Sequence, residues 1–272
     1  MNKTNIEWTT MTWNCLRGCS WASPGCDHCY AETIAKRFSK PGLPFHGVAD
    51  KDGWNSNIEF MEHKLDEPLK KKTPQIIFAN SMSDICHPKV KHEWIDAILK
   101  IITATPRHFY MMLTKRPNLI NQKIASFWTD FALFNGKPIT NLAMGTSIES
   151  EELLWRGHRL IHNWPGRCFL SIEPLLDRVS IKSLLEAEEG HRIEQVIVGG
   201  ETGKGARPMR PEWVRQLRDE TKEAGRAFFF KQWGSGLYGK RFVEHLNREI
   251  DYRQWNESPW PVVLPIKERE IA

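Results

Sequence analysis

The feature that most limits the fold is a series of short apolar segments that recur at nearly constant spacing. Successive segments begin about 30 residues apart, which is the length of one strand–helix unit. The six segments occupy residues 75–79, 108–113, 141–144, 167–172, 195–198 and 227–230. Amphipathic helix patterns lie between them, the clearest through Val90, Trp94, Ile95, Ile98, Leu99 and Ile102. The repeat predicts an α/β fold built around a parallel sheet.

A further strand is predicted before these segments, over residues 7–14, which are rich in Trp and Thr. Six or seven β/α units match a complete or partial (β/α) TIM-like barrel. A doubly wound open sheet is the alternative, because periodicity alone does not distinguish the two folds. We predict a barrel domain over residues 1–234 with a long insertion near residues 42–73. A C-terminal extension is predicted over residues 235–272.

Polar and charged residues follow nearly every predicted strand. In β/α folds the carboxyl ends of parallel strands meet at one edge, where ligands bind. The candidate binding residues at this edge are Asn80, Ser81, Lys115, Ser147, Glu149, Glu173, Gly199, Gly200, Glu201 and Lys231. Strands that end in solvent also end in polar residues, but six such ends in succession favour a shared site. Asp84 lies in the same region, either as a general acid or base or as a turn-capping residue.

Four of the six cysteines lie in one loop over residues 15–30, directly after the predicted first strand. The N-terminus lacks the apolar segment of a signal peptide, and no apolar run approaches the roughly 18 residues that cross a bilayer. We therefore predict a cytoplasmic protein without a membrane partner, in which clustered thiols bind metal rather than form disulfides.

Two kinds of metal site fit these cysteines. All four could hold a structural zinc, and spacing alone slightly favours this. Three of them could instead hold a [4Fe–4S] cluster with one open iron. Position favours the cluster, because a loop at the ligand-binding edge suits a metal used in catalysis better than a structural knuckle.

The loop resembles a known class of enzymes. Gly18-Cys19 followed by Cys26-Asp27-His28-Cys29-Tyr30-Ala31 resembles the radical S-adenosylmethionine (SAM) enzymes of the spore photoproduct lyase-like branch. The whole chain resembles a phage-associated three-cysteine family related to that branch. The blocks that carry this second resemblance are Ile6-Glu7-Trp8-Thr9, Ser23-Pro24-Gly25-Cys26, Asn80-Ser81-Met82-Ser83-Asp84, Leu113-Thr114-Lys115-Arg116-Pro117, Ser171-Ile172-Glu173-Pro174-Leu175, Gly199-Gly200-Glu201, Ala206-Arg207-Pro208 and Phe229-Phe230-Lys231-Gln232-Trp233-Gly234.

The cysteine spacing departs from the pattern of these enzymes in two ways. Their usual spacing is C-x3-C-x2-C, whereas six residues separate Cys19 from Cys26. Cys15 occupies a position at which the relatives have proline. The resemblance implies that Cys19, Cys26 and Cys29 bind iron and that Cys15 is spare, although a four-cysteine site stays open as an alternative.

The resemblance also implies SAM as a cofactor, bound to the open iron and cleaved to a 5′-deoxyadenosyl radical that abstracts a hydrogen from substrate. Glu201 on Gly199 and Gly200 would contact the methionine ammonium or the ribose, and Lys115 or Lys231 the methionine carboxylate. Ribose, substrate and further cofactor contacts are assigned to Tyr30, Asn80, Ser81, Ser147, Glu149 and Glu173.

The predicted function is therefore a radical SAM enzyme of lyase or transferase type, with a nucleic-acid base or nucleotide as substrate. The resemblance implies an electron donor such as flavodoxin or ferredoxin as a partner. The net charge of +5 permits a nucleic-acid partner without requiring one. One alternative is a non-catalytic zinc or Fe–S protein that binds nucleic acid. Another is a β/α enzyme with a structural zinc and catalysis by Glu173 or Glu201.

Overall fold

A computed structural model describes residues 1–124, 139–236, 249–251 and 253–261. Its centre is an eight-stranded sheet in the order β1-β2-β5-β6-β7-β8-β9-β10. The strands of this sheet are β1 (Asn2–Lys3), β2 (Met11–Trp13), β5 (Ile76–Ala79), β6 (Phe109–Thr114), β7 (Leu142–Ser147), β8 (Arg167–Ile172), β9 (Ile193–Gly199) and β10 (Ala227–Gln232). All neighbouring strands from β2 to β10 are parallel, and only β1 is antiparallel to its neighbour. The α/β fold with a mostly parallel sheet is therefore confirmed.

Two short pairs of strands lie outside this sheet. They are β3 (Leu16–Arg17) with β4 (Glu59–Phe60), and β11 (Glu249–Ile250) with β12 (Arg253–Gln254). The first pair joins the cysteine loop to the predicted insertion near residues 42–73. The domain boundaries themselves stay a prediction.

Helices follow the predicted alternation with the strands. They are α1 (Tyr30–Arg37), α2 (Glu67–Lys70), α3 (His92–Ala104), α4 (Trp155–Asn163), α5 (Lys182–Leu185) and α6 (Pro211–Glu223). Helix α3 buries Ile95, Ile98, Leu99 and Ile102, the spacing of a single helical face. Helix α6 begins with Pro211, whose missing N–H costs nothing at that position, and it stops before Gly225 at φ +70°.

The two faces of the sheet are covered by different parts of the chain. One face packs against helices α3, α4 and α6 in the main core. The other carries a second cluster made mainly of strand side chains, among them Phe78, Phe109 and Phe169. Trp8 and Trp260 close this second cluster, and the Trp260 ring stacks on Phe109 with centroids 4.6 Å apart. No helix residue belongs to this second cluster among the described residues, so helices α3, α4 and α6 lie on the opposite side of the sheet from it.

The sheet is open in the part of the chain that the structure describes. β10 pairs with residues 255–257 instead of β1, through the Phe230 N–H to the Trp255 carbonyl at 2.7 Å and a bridge from Phe229 to Asn256. These contacts cover the backbone groups that an edge strand exposes. A closed barrel is therefore not confirmed. The strand order also lacks the reversal that defines a doubly wound sheet, so that alternative is wrong for the described residues.

The described helices include none that is both long and apolar enough to cross a membrane.

Candidate functional site

The cysteine loop, residues 15–30, lies at the edge where β2 and β5 to β10 end, which we call the carboxyl edge. Asn80 begins the chain after β5 at φ +62°, a left-handed conformation that asparagine tolerates better than most residues. Its Oδ1 accepts hydrogen bonds from the backbone N–H groups of Cys15 and Leu16 at 3.2 and 3.1 Å. The Gly18 N–H donates to the Met82 carbonyl at 3.1 Å. These bonds hold the exit of β2 beside the exit of β5.

Three of the loop cysteines share one environment. Cys19, Cys26 and Cys29 are partly exposed. Burial and the charge of Asp84 raise the pKa of the Cys19 thiol to about 12, and the charge of Cys29 adds to this rise. Burial also raises the pKa of Cys29, with a further contribution from Cys26, whereas the Glu32 and Ala31 N–H groups at the start of α1 lower it. The Cys29 sulfur therefore interacts electrostatically with the sulfurs of both Cys19 and Cys26.

Each of the three thiols also lies near a cation of the carboxyl edge. Arg116 favours the thiolate of Cys19, and Lys115 favours that of Cys29. Burial lowers the pKa of Arg156, and the charges of Glu149 and Cys26 oppose that change. Three thiols with positive neighbours form a donor set suited to an iron–sulfur cluster. Among the described residues, however, no three His, Cys, Asp or Glu side chains are already arranged to hold a metal ion.

Cys15 has different surroundings from these three cysteines. Its side chain is fully buried and belongs to the main core on the helix-covered face. Burial raises the pKa of its thiol, as it does for Cys19 and Cys29, so its position in the core and not its pKa sets Cys15 apart. Cys168 is buried in the same core.

Glu149 is the most deeply buried charge of the site. It follows β7, has no exposed surface, and accepts hydrogen bonds from Ser23 Oγ at 2.9 Å and from Arg156 Nη1 at 3.1 Å. Lys115 Nζ contacts Oε1, the same oxygen that accepts the Ser23 hydroxyl, whereas Arg156 binds Oε2. Arg156 also donates to the Ser147 carbonyl at 3.1 Å. The predicted residues Lys115, Ser147 and Glu149 are thus brought together, around an arginine that sequence reasoning missed.

Asp84 follows β5 and organises the end of β6. Its carboxylate accepts the Thr114 hydroxyl at 2.6 Å, the Lys115 N–H at 3.0 Å and Arg116 Nη1 at 2.7 Å. It also accepts the Cys86 N–H at 2.9 Å, as a turn-capping residue does. Of the two predicted roles for Asp84, the geometry matches the structural one.

Glu201 follows β9 and is held by a second arginine that the prediction did not assign. Arg207 donates to it from its backbone N–H and from Nε, both at 2.9 Å, and its Nη2 contacts the other carboxylate oxygen. Burial would raise the pKa of Glu201, but the bonds from Arg207 outweigh it and hold that pKa below its usual range. His28 Nε2 lies 4.0 Å from the same carboxylate.

The remaining predicted residues form two separate contacts. Lys231 Nζ contacts Glu173 Oε1, and both side chains are partly buried. The Tyr30 hydroxyl donates to the Ser81 carbonyl at 2.9 Å. A Cβ on Gly200 would lie 2.3 Å from the Trp233 carbonyl, so backbone packing alone requires glycine there. A Cβ on Gly199 would lie 3.2 Å from the Glu173 carboxyl group.

Comparisons with known proteins give a family and a distant structural similarity. The chain is similar to solved structures of three variants of spore photoproduct lyase, two with a cysteine replaced and one with a tyrosine replaced. The first two are 11% identical with TM-scores of 0.48 and 0.47, covering 85% of this chain and 79% of the other. The third is 12% identical with a TM-score of 0.44, covering 82% and 75%. Similarity at this level supports no inference about activity.

No curated protein matches the chain. A family model described as protein of unknown function (DUF5131) matches residues 3–259, and the chain therefore belongs to that family.

Proposed function

We propose that this protein is a radical SAM enzyme in which Cys19, Cys26 and Cys29 hold a [4Fe–4S] cluster. The observation that carries the proposal is the position of these three partly exposed thiols on one loop at the carboxyl edge of a parallel sheet. Ligand sites of β/α folds lie at that edge. We interpret the open sheet, with helices α3, α4 and α6 on one side, as a partial barrel.

The chemistry of the donor set supports three ligands rather than four. Cys15 is buried in the main core, whereas the other three thiols lie near charged residues of the carboxyl edge. Thiolates are the usual ligands of iron–sulfur clusters, and three of them leave one iron open. When bound, the cluster and SAM would supply a carbon-centred radical that removes a hydrogen from substrate.

The protein's own residues would bind and orient SAM. Lys115 and Lys231 provide ammonium groups for a carboxylate, and each is already held by an acidic neighbour. Glu149 keeps the charge of Arg156 as a partner when Lys115 turns to a ligand. Asn80 Nδ2 is buried and has no hydrogen-bond partner among the described residues, so this amide donor is left for a ligand.

Glu201 has less freedom to bind a ligand than the sequence predicts. Arg207 makes three hydrogen bonds to its carboxylate, and its lowered pKa keeps it ionised at neutral pH. In the proposal Glu201 holds Arg207 in place, and its negative charge also attracts the methionine ammonium of SAM. The same ionisation makes Glu201 a poor general acid, which argues against an enzyme that relies on it for catalysis.

We further propose that the substrate is a nucleic-acid base or nucleotide and that flavodoxin or ferredoxin supplies the electron. The substrate proposal rests on the sequence resemblance and the net charge of +5. An origin in phage and a cytoplasmic location also stay predictions.

The test is reductive cleavage of SAM by the anaerobically reconstituted protein. We expect dithionite-dependent formation of 5′-deoxyadenosine by the wild type and by Cys86→Ala, whose sulfur is buried in the core. Cys26→Ala should form none. A wild type that takes up one zinc, binds no iron and leaves SAM intact would exclude radical SAM chemistry.

A non-catalytic nucleic-acid-binding protein is the second candidate. It is favoured by the exposed aromatic side chains Trp21, Tyr30 and Phe38 in and after the cysteine loop, with basic residues on helix α1. Exposed aromatic rings can stack on unpaired bases. Salt-dependent binding of single-stranded DNA, without SAM cleavage, would favour this function.

A further inference from the structure

Three arginines contact the six-residue segment that separates Cys19 from Cys26. Arg116 Nη2 donates to the Ser20 carbonyl at 3.0 Å, and Arg207 Nη2 donates to the Pro24 carbonyl at 2.8 Å. Arg156 donates from Nη1 to Ser23 Oγ at 3.3 Å and from Nη2 to the Ala22 carbonyl at 3.5 Å. The contacts of the three arginines therefore cover residues 20–24 in chain order.

Each of these arginines is also paired with a carboxylate that follows a different strand. The pairs are Arg116 with Asp84 after β5, Arg156 with Glu149 after β7, and Arg207 with Glu201 after β9. The order of the contacts along the loop is the same as the order of these strands in the sheet. Residues 20–25 consequently run across the carboxyl edge from β5 to β9.

The last residue of this segment also fits closely. A Cβ on Gly25 would lie 2.6 Å from Cγ and Oε1 of Glu149, which is too close for any real side chain. Ser23 beside it is buried and donates to the same carboxylate. With any other residue at position 25, this segment or the Glu149 side chain would have to shift.

We propose that Arg116, Arg156 and Arg207 are positioning residues that fix residues 20–25 across the carboxyl edge, so that Cys19 and the Cys26–Cys29 pair face one common space. What the thiols bind rests on the proposed function. The fixing of residues 20–25 is independent of that function. It gives a physical reason for the six-residue spacing: the three additional residues cross the strand ends. A guanidinium suits this role because it can bind a carboxylate and a carbonyl oxygen at the same time.

The test measures amide hydrogen exchange of residues 20–26 in the metal-free, full-length chain. Arg116→Met combined with Asp84→Asn removes one arginine without leaving its carboxylate charge buried and unpaired. Gly25→Ala displaces the segment without removing any charge. Arg218→Met combined with Asp251→Asn is the matched control, because that pair lies away from the loop with a 2.6 Å contact. We expect exchange about tenfold faster in the first two variants and unchanged in the control.

The second measurement is iron retained per chain after reconstitution and exposure to a chelator. We expect the Arg116 and Gly25 variants to lose iron faster than the wild type and the control. Unchanged exchange in both folded variants would overturn the fixing of the segment. Faster exchange with iron retention equal to the wild type would overturn its role in placing the thiols. Faster exchange in a chain whose wild type takes up no iron would uphold the fixing and reject the proposed cluster.

Discussion

Replacing Glu149 with alanine tests the buried charge network of the carboxyl edge. Arg156 is only 2% exposed, and Glu149 is its carboxylate partner at 3.1 Å. Without Glu149, the charge of Arg156 stays buried with only neutral acceptors, the Ser147 carbonyl and Ser23 Oγ among them. Lys115 would lose the same partner but is partly exposed, so water can compensate it.

The expected loss of unfolding free energy is large because the unpaired charge of Arg156 cannot reach solvent. Breaking one side of a buried ion pair costs about 3–5 kcal/mol. The unfolding entropy of a chain of 272 residues is about 0.57 kcal/mol/K, so the melting temperature should fall by about 5–9 °C.

The assay is thermal and urea unfolding of the metal-free protein, followed by tryptophan fluorescence. Glu194→Ala is the matched control, since Glu194 binds Arg167 through two bonds of 2.7 and 2.6 Å but both side chains are about 30% exposed. That pair should contribute about 1 kcal/mol or less. Equal losses in the two variants, or a loss below about 1 kcal/mol for Glu149→Ala, would refute the reasoning.

Three further perturbations test other parts of the structure. Burial lowers the pKa of His87 to about 4, so the unfolded chain takes up the proton first as pH falls below 6.5. The variant His87→Gln lacks this group, so between pH 7 and pH 4 its free energy of unfolding, measured in urea, should fall by about 3 kcal/mol less than that of the wild type. The pKa of Glu201 is lowered, so its stabilisation is present above its ordinary value of 4.5 and is lost as pH falls below it; Glu201→Gln should flatten acid unfolding followed by circular dichroism between pH 5 and pH 2. Trp260→Ala should cost about 3–5 kcal/mol in urea unfolding because it opens the second cluster, whereas Leu69→Ala, at an exposed residue, should change stability by less than about 0.5 kcal/mol.

Local sequence signals predicted the elements of the sheet well. All six apolar segments form strands, and the first predicted strand appears as β2. The side chains of these parallel strands are buried on both faces, so each strand reads as a continuous apolar run. The end of α6 at Gly225 was equally readable, because a glycine just beyond a helix has one common structural use.

Contacts between distant parts of the chain were not readable in the same way. Arg156 lies inside helix α4, where an arginine ordinarily faces solvent, and its partner Ser23 is 133 residues away in sequence. Trp260 lies in the predicted C-terminal extension, and no local pattern shows that its ring stacks on Phe109. The open edge at β10 depends on residues 255–257 in the same way. Each of these outcomes is decided by tertiary packing.

The cysteine loop shows both what local sequence signals reveal and what only tertiary contacts decide. Sequence grouped them and singled out Cys19, Cys26 and Cys29 by resemblance, and the structure places Cys15 in the core. The arginines that bind residues 20–24 lie after β6, inside helix α4 and after β9. The spacing of the cysteines could therefore not be explained from the loop alone.

The central claim is that Cys19, Cys26 and Cys29, and not Cys15, hold an iron–sulfur cluster. Metal content after anaerobic reconstitution tests it directly in the wild type, Cys15→Ala and Cys19→Ala. We predict about four irons per chain in the wild type and in Cys15→Ala, and loss of the cluster in Cys19→Ala. One zinc per chain in the wild type, lost from both cysteine variants alike, would contradict the claim.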